Sequence, residues 1–232
     1  EKIMKKRHGE IAALIMEPLV QAAAGMLLQP KGFLSGVRKL CAKYDILLIV
    51  DEVATGFGRT GKMFACEKEN VSPDIMCVAK GLTGGYLPVA ATLTTKKIFN
   101  AFLNKTFFHG HTYTGNPLGC AAAVANLLLF KQERTIARLQ PKIKLLQDLL
   151  RSFSRLGAIK EVRQCGFMVG IELFPLKKRF GHLVIVEARK RGAILRPLGD
   201  VIVLMPPLSI TPAELKELLK ITSDSITAAA DL

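Results

Sequence analysis

The sequence predicts an α/β protein whose sheet is largely parallel, followed toward the C-terminus by a smaller α+β region, and three observations predict this. Short apolar runs alternate with amphipathic segments from Ile11 to Leu93, the rhythm of strand, helix, strand. Residues 46–50 (ILLIV) form one unbroken β-branched and leucine run, the pattern of a central parallel strand covered on both faces. After Phe153 the segments become shorter and strands appear in pairs around turn residues such as Gly166.

Taken in order, residues 11–16 (IAALIM) read as a buried strand. From Phe33 to Tyr44 the apolar residues Phe33, Leu34, Val37, Leu40, Cys41 and Tyr44 follow the helical period. The ILLIV strand comes next, then short runs ending at Ala79 and Leu93. After Pro117 an alanine- and leucine-rich stretch to Phe130 has strong helix propensity, and a more charged helical stretch continues to about Phe153. Two short strands follow within residues 159–172, a helix over 181–191, and strands near 193–196 and 201–205. Thr211-Pro212 supplies an N-cap and a first-turn proline for a final helix. The domain boundary is placed in the long helical region, giving residues 1–135 and 136–232.

Half of the 232 residues are hydrophobic, ample for a buried core, and with 6% aromatics and no Trp that core should be aliphatic. No signal pattern opens the chain and no apolar run approaches membrane-spanning length. Five scattered cysteines without metal-ligand spacing suit reduced thiols and a cytoplasmic location better than a disulfide framework. The net charge of +14 admits a nucleic-acid or lipid-binding reading. The basic residues, however, are spread as short groups (MKKR, TTKK, LKKR, ARKR), so a solvated basic surface is expected, with no nucleic-acid or membrane partner.

The residues that could carry chemistry are few. Asp51 and Glu52 directly follow the ILLIV strand, and open α/β sheets bind ligands beyond the carboxyl ends of their strands. The alternative is an ordinary turn aspartate. Residues 56–61 (GFGRTG) match a dinucleotide-binding pattern in form, yet DEVAT separates them from the strand, and the downstream acid, Asp74, precedes its strand instead of ending it. Lys80 follows the apolar run PDIMCVA and precedes GLTGG, where glycines leave room for a planar group beside its amine. A lysine there could equally be a snorkelling surface residue. His109 and His111 form an H-x-H pair, but no carboxylate or Cys lies nearby in sequence, so no metal is expected. Thr112, in a polar loop ahead of the Asn116-Pro117 helix start, is a plausible phosphate hydroxyl. Arg196, in ILRPLGD at the end of a predicted strand, suits bidentate carboxylate recognition. An amine and a carboxylate at the ends of successive strands are what pyridoxal 5'-phosphate requires: one for its aldehyde, one for its ring nitrogen.

Together these segments resemble the class III aminotransferases of fold type I. The resemblance is carried by Glu17-Pro18, IVDEVATGFGRTGKMFACE, PDIMCVAKGLTGGYLPVAATLTT, FFHGHTYTGNPLGCAAA, and ILRPLGD with VLMPP, which span most of the chain in the family's order. It implies a fold type I architecture, with residues 1–135 as part of the large cofactor-binding domain and 136–232 as the small C-terminal domain. It implies pyridoxal 5'-phosphate as cofactor, Lys80 as the Schiff-base and proton-shuttling lysine, and Asp51 as the partner of the pyridinium nitrogen. Val53 would pack on the ring, and Thr112, with His111 beside it, would reach the phosphate of a neighbouring subunit in a homodimer with shared active sites. Gly110 would contact substrate and Arg196 would hold a substrate carboxylate. Within the family, Ala54 in place of a usual Gln, the GFGRTGKMFACE loop and the RPLGD/VLMPP pair favour the branch that aminates 8-amino-7-oxononanoate in biotin synthesis, with S-adenosylmethionine as the usual amino donor. The alternatives are another ω-aminotransferase using a diamine or amino acid, or an incomplete chain that serves only as a basic binding module. The family's phosphate loop, ring-stacking Tyr and substrate-lining aromatics find no counterpart, which implies that the chain is the C-terminal part of a longer protein.

Overall fold

The computed structural model describes all 232 residues. In chain order the elements are α1 (Lys2–Arg7), β1 (Ala13–Met16), the short pair β2 (Val20–Gln21) and β3 (Leu27–Leu28), α2 (Phe33–Lys43), β4 (Leu47–Asp51), β5 (Ile75–Val78), β6 (Ala91–Thr94), α3 (Lys96–Asn100) and α4 (Pro117–Gln132). Then come α5 (Thr135–Leu150), β7 (Ile159–Cys165), β8 (Met168–Leu173), α6 (Phe180–Lys190), β9 (Arg196–Leu198), β10 (Val201–Leu204) and α7 (Pro212–Asp231). The chain divides into two compact units. The first holds residues 1–19, 29–57 and 62–135; the second holds 20–28, 58–61 and 136–232. No helix is long and apolar enough to cross a membrane.

In the first unit the sheet order is β1-β4-β5-β6. β1, β4 and β5 run parallel, and β6 pairs antiparallel with β5. The ILLIV run earns its central place because Ile46, Leu48 and Val50 are all buried. Against them α2 turns Leu34 and Cys41, two helical turns apart on one face. Gly32 opens α2 and has no side chain to cap it. The Glu69 carboxylate does so from a distance, accepting the Gly32 and Ser35 N–H groups at 2.8 Å each. Asp74 ties the edges of β4 and β5 together by accepting from the Leu48 N–H at 2.8 Å and from Arg38 at 2.6 Å. Burial alone would raise the Asp74 carboxyl, but these two partners outweigh it and hold it below its ordinary value.

The second unit is built on an antiparallel sheet ordered β7-β8-β10-β9. Its core packs Leu146 and Phe153 from the α5 side and Phe180 and Val184 of α6 with Val169, Ile171 and Ile202 of the sheet and Leu215, Leu219 and Ile226 of α7. The small β2–β3 pair belongs to this unit: the buried Arg163 of β7 donates to the Gly25 carbonyl at 2.9 Å while pairing with Glu161 and Glu172. The final helix starts as its sequence dictates. Thr211 Oγ1 accepts the Glu214 N–H at 3.2 Å and Glu214 accepts the Thr211 N–H at 2.7 Å, a reciprocal cap with Pro212 in the first turn.

One expectation is corrected, and one pair of strands lies outside what the sequence predicts. The strand expected over 193–196 is displaced, because Ala193 and Leu195 are buried ahead of it and pairing with β10 begins only at Arg196. Arg196 therefore opens β9 instead of ending a strand. The β2–β3 pair was not anticipated, since two-residue strands carry no readable periodicity.

Candidate active site

The site begins with two adjacent parallel strands. Asp51 is the last residue of β4 and lies opposite Cys77 of β5, and Lys80 stands three residues further along, just past the end of β5. Both residues thus stand at the carboxyl edge of the sheet, where open α/β sheets bind ligands. Asp51 is half-buried, and its Oδ1 accepts the Val53 N–H at 3.0 Å, which holds the carboxylate and leaves Oδ2 as the oxygen able to accept from a ligand.

Lys80 departs from ordinary strand geometry. Ala79 is fully extended, and Lys80 then takes φ 46°, the left-handed region, before a 3-10 turn over Lys80–Thr83. A bulky residue pays about 1–3 kcal/mol for such a backbone, so it persists only where its surroundings impose it. Those surroundings are visible. Gly81 packs so close to Phe57 that an added Cβ would lie 2.8 Å from the Phe57 Cβ, which leaves no room for a side chain at that position. The turn closes with the Leu82 N–H donating to the Ala79 carbonyl at 3.0 Å, and Thr83 Oγ1 donates to the Leu87 carbonyl at 2.6 Å. Asn126, from the middle of α4, donates to the Gly81 and Leu82 carbonyls.

Beside Asp51, Glu52 is fully buried. It accepts from Thr55 Oγ1 at 2.6 Å and from the N–H groups of Ala65 and Cys66 at 3.0 and 2.9 Å, so both oxygens are paired. Burial and then the Glu52 charge push the Cys66 thiol up to about 12, which makes it an inert core residue. Glu52 thereby anchors the loop that leaves Asp51. The GFGRTG stretch within that loop is no strand-to-helix turn: Gly58 and Gly61 take φ 90° and 95° and Phe57 itself φ 54°. In the second unit Arg59 is largely buried, donates to the Pro206 carbonyl of the VLMPP segment, and is shifted down by burial. Sequence reasoning passed over Arg59 and Asn126, and it named Glu52 only as the acid beside Asp51.

The remaining expected residues are more dispersed. Gly110, His111 and Thr112 lie in the first unit on an exposed loop, where the His111 N–H donates to Thr114 Oγ1 at 2.9 Å and Asn116 caps α4 by accepting the Leu118 and Gly119 N–H groups. Arg196 is exposed and belongs to the second unit. The structure therefore places Asp51, Val53 and Lys80 at the carboxyl ends of the adjacent strands β4 and β5. No cluster of three His, Cys, Asp or Glu residues is close enough to hold a metal ion.

Comparison with known proteins matches residues 1–226 to the family model described as aminotransferase class-III. A relative from Aquifex aeolicus, named adenosylmethionine-8-amino-7-oxononanoate aminotransferase, is 58% identical over 229 residues, covering 93% of this chain and 50% of the relative. One of the same name from Geobacter sulfurreducens is 53% identical, covering 93% and 51%. The crystal structure of the enzyme of that name from Methanocaldococcus jannaschii superposes with a TM-score of 0.95 at 45% identity, covering 100% of this chain and 57% of that one. A thermostable omega transaminase from Pseudomonas jessenii superposes at 0.93 with 30% identity, covering 99% and 54%. The chain thus spans about half the length of the relatives it matches. The fold is that of the pyridoxal-phosphate transaminases, and the chain belongs to the class III aminotransferase family.

Proposed function

We propose that this chain carries the lysine and ring-nitrogen partner of an enzyme that transfers an amino group to 8-amino-7-oxononanoate, giving 7,8-diaminononanoate in biotin synthesis. The observation that carries the reading is the pairing of Asp51 and Lys80 at the carboxyl ends of adjacent parallel strands, with Lys80 held in a left-handed turn. The name shared by relatives at 53–58% identity supports the substrate.

The residues present fit pyridoxal 5'-phosphate. Asp51, fixed by the Val53 N–H, offers Oδ2 to a protonated ring nitrogen. Val53, half-buried beside it, supplies an apolar surface for the ring. Lys80 supplies the amine, and the same Nζ takes a proton from the substrate carbon and returns it on the other side of the transfer. When bound, the cofactor supplies an electron sink for the pair released as that proton leaves. Thr112, with His111 beside it, holds the phosphate across a homodimer interface, so that active sites are shared between subunits. Gly110 lines the substrate, and Arg196 receives the oxononanoate carboxylate as a two-pronged donor. Residues 1–135 serve as part of the cofactor-binding domain and 136–232 as the small domain, which the 20–28 and 58–61 segments join. S-adenosylmethionine is the amino donor.

The test uses the chain joined to the remainder of the enzyme. Amination of 8-amino-7-oxononanoate with S-adenosylmethionine as donor is expected, and Lys80→Ala should lower kcat by at least about 1,000-fold. Amination of pyruvate or 2-oxoglutarate with none of the oxononanoate would contradict the substrate and favour another ω-transaminase, the activity named for the Pseudomonas jessenii structure.

A further inference from the structure

We infer that Asn126 is a positioning residue for Lys80. The inference rests on the reading of Lys80 as the cofactor-binding lysine and extends it to a helix that the motif does not include. α4 runs PLGCAAAVANLLLFKQ, and between Gly119 and Phe130 Asn126 is its single polar side chain. An amide in the middle of an apolar helix stabilises nothing on its own helix, and it costs free energy unless its hydrogen bonds are made. Here both are made to one target. The Asn126 side-chain nitrogen donates to the Gly81 carbonyl at 2.8 Å and to the Leu82 carbonyl at 3.0 Å.

Those carbonyls belong to the turn that presents Lys80. The Gly81 carbonyl also receives the Gly84 N–H at 3.3 Å, so Asn126 shares in the closing bond of the turn. On the far side of Asn126, its Oδ1 stands where a Cβ on Gly84 would meet it at 3.2 Å, and Gly84 itself is left-handed with φ 63°. The turn is thus gripped from two directions, by Phe57 against Gly81 and by the Asn126 amide on the Gly81 and Leu82 carbonyls. Lys80 sits at φ 46° immediately before the gripped residues, and releasing the carbonyls removes what opposes its return to an ordinary backbone. A hydrogen-bond pair to backbone is well suited to this task, because it fixes peptide orientation without covering the amine.

The experiment measures backbone amide exchange in the chain joined to the remainder of the enzyme, together with trapping of pyridoxal 5'-phosphate by borohydride, with adducts located by peptide mass spectrometry. Asn126→Ala removes both donors; Asn126→Asp keeps the shape and turns acceptors toward the carbonyls. Val124→Ala, at an exposed position of the same helix, is the control. Both Asn126 variants are expected to speed exchange over residues 81–86 about tenfold, with β4 and β5 unchanged, and to lower trapping at Lys80 severalfold relative to other lysines. Val124→Ala should do neither. Wild-type rates over 81–86 in the variants, or a rise spread equally through β4 and β5, would overturn the inference. Absence of Lys80 trapping in the wild-type chain would instead overturn the cofactor reading, while the exchange rates would still decide the role of Asn126.

Discussion

The two units differ in how completely each encloses its own apolar surface. The second has a continuous core of 21 buried hydrophobic residues, while the first, of similar size, has a cluster of eight. The contrast is sharpest in the helices. α6 and α7 each bury one stripe and leave charged residues such as Lys190 and Lys216 outward, whereas α4, apolar from Leu118 to Phe130 but for Asn126, leaves Leu118, Val124, Leu127, Leu128 and Leu129 exposed. An all-apolar helix is one whose sequence is suited to burial on every side. Phe99, Phe102, Phe108 and Tyr113, on the segment that carries Gly110, His111 and Thr112, are exposed as well. The unit that holds Asp51 and Lys80 is thus the less enclosed one, consistent with a chain spanning about half of its relatives' length.

The largest test of this contrast is a pair of truncations. Phe167→Ala, in the fully enclosed core of the second unit, is expected to cost about 3–5 kcal/mol, read from urea unfolding of that unit. Leu128→Ala, on the uncovered face of α4, is expected to stay within about 0.5 kcal/mol. Equal losses at the two positions would mean that α4 is covered in solution and that the contrast is false.

The contrast also explains what the sequence made legible. Elements whose partners lie within the chain were readable from it: ILLIV as a central strand, the Leu34–Cys41 face of α2, and the Thr211–Glu214 cap, because pattern and burial agree there. Asp51 and Lys80 were readable as candidates, each at the end of an apolar run. The strained backbone of Lys80 was not, since φ 46° at a lysine is imposed by Phe57 and Asn126, far away in sequence. Glu52 was legible only as a second acid at the end of the ILLIV strand, and its burial depends on N–H groups 13 and 14 residues later. Arg59 was hidden inside a glycine pattern, and its carbonyl partner lies 147 residues away. In Asn126 the signal was present, a lone amide within an apolar helix, but nothing in the local sequence says which carbonyls it serves.

A smaller effect sharpens the account of the first unit. Asp74 sits below its ordinary value when folded, so its contribution is full above the unfolded carboxylate range near about pH 4 and is lost as pH falls through the lower folded value. Unfolding of the first unit should therefore become easier below about pH 4, and Asp74→Asn should flatten that acid slope while leaving the second unit's unchanged. An unchanged slope in Asp74→Asn would remove the Arg38–Asp74–Leu48 link from the account.

The most direct measurement is the location of the cofactor. After the chain joined to the remainder of the enzyme is incubated with pyridoxal 5'-phosphate and reduced with borohydride, peptide mapping should find one dominant adduct, at Lys80, and Asp51→Asn should shift the bound cofactor's absorbance by removing the carboxylate partner of its ring nitrogen. Adducts scattered over the basic surface, with Lys80 unmodified, would contradict the assignment of this site.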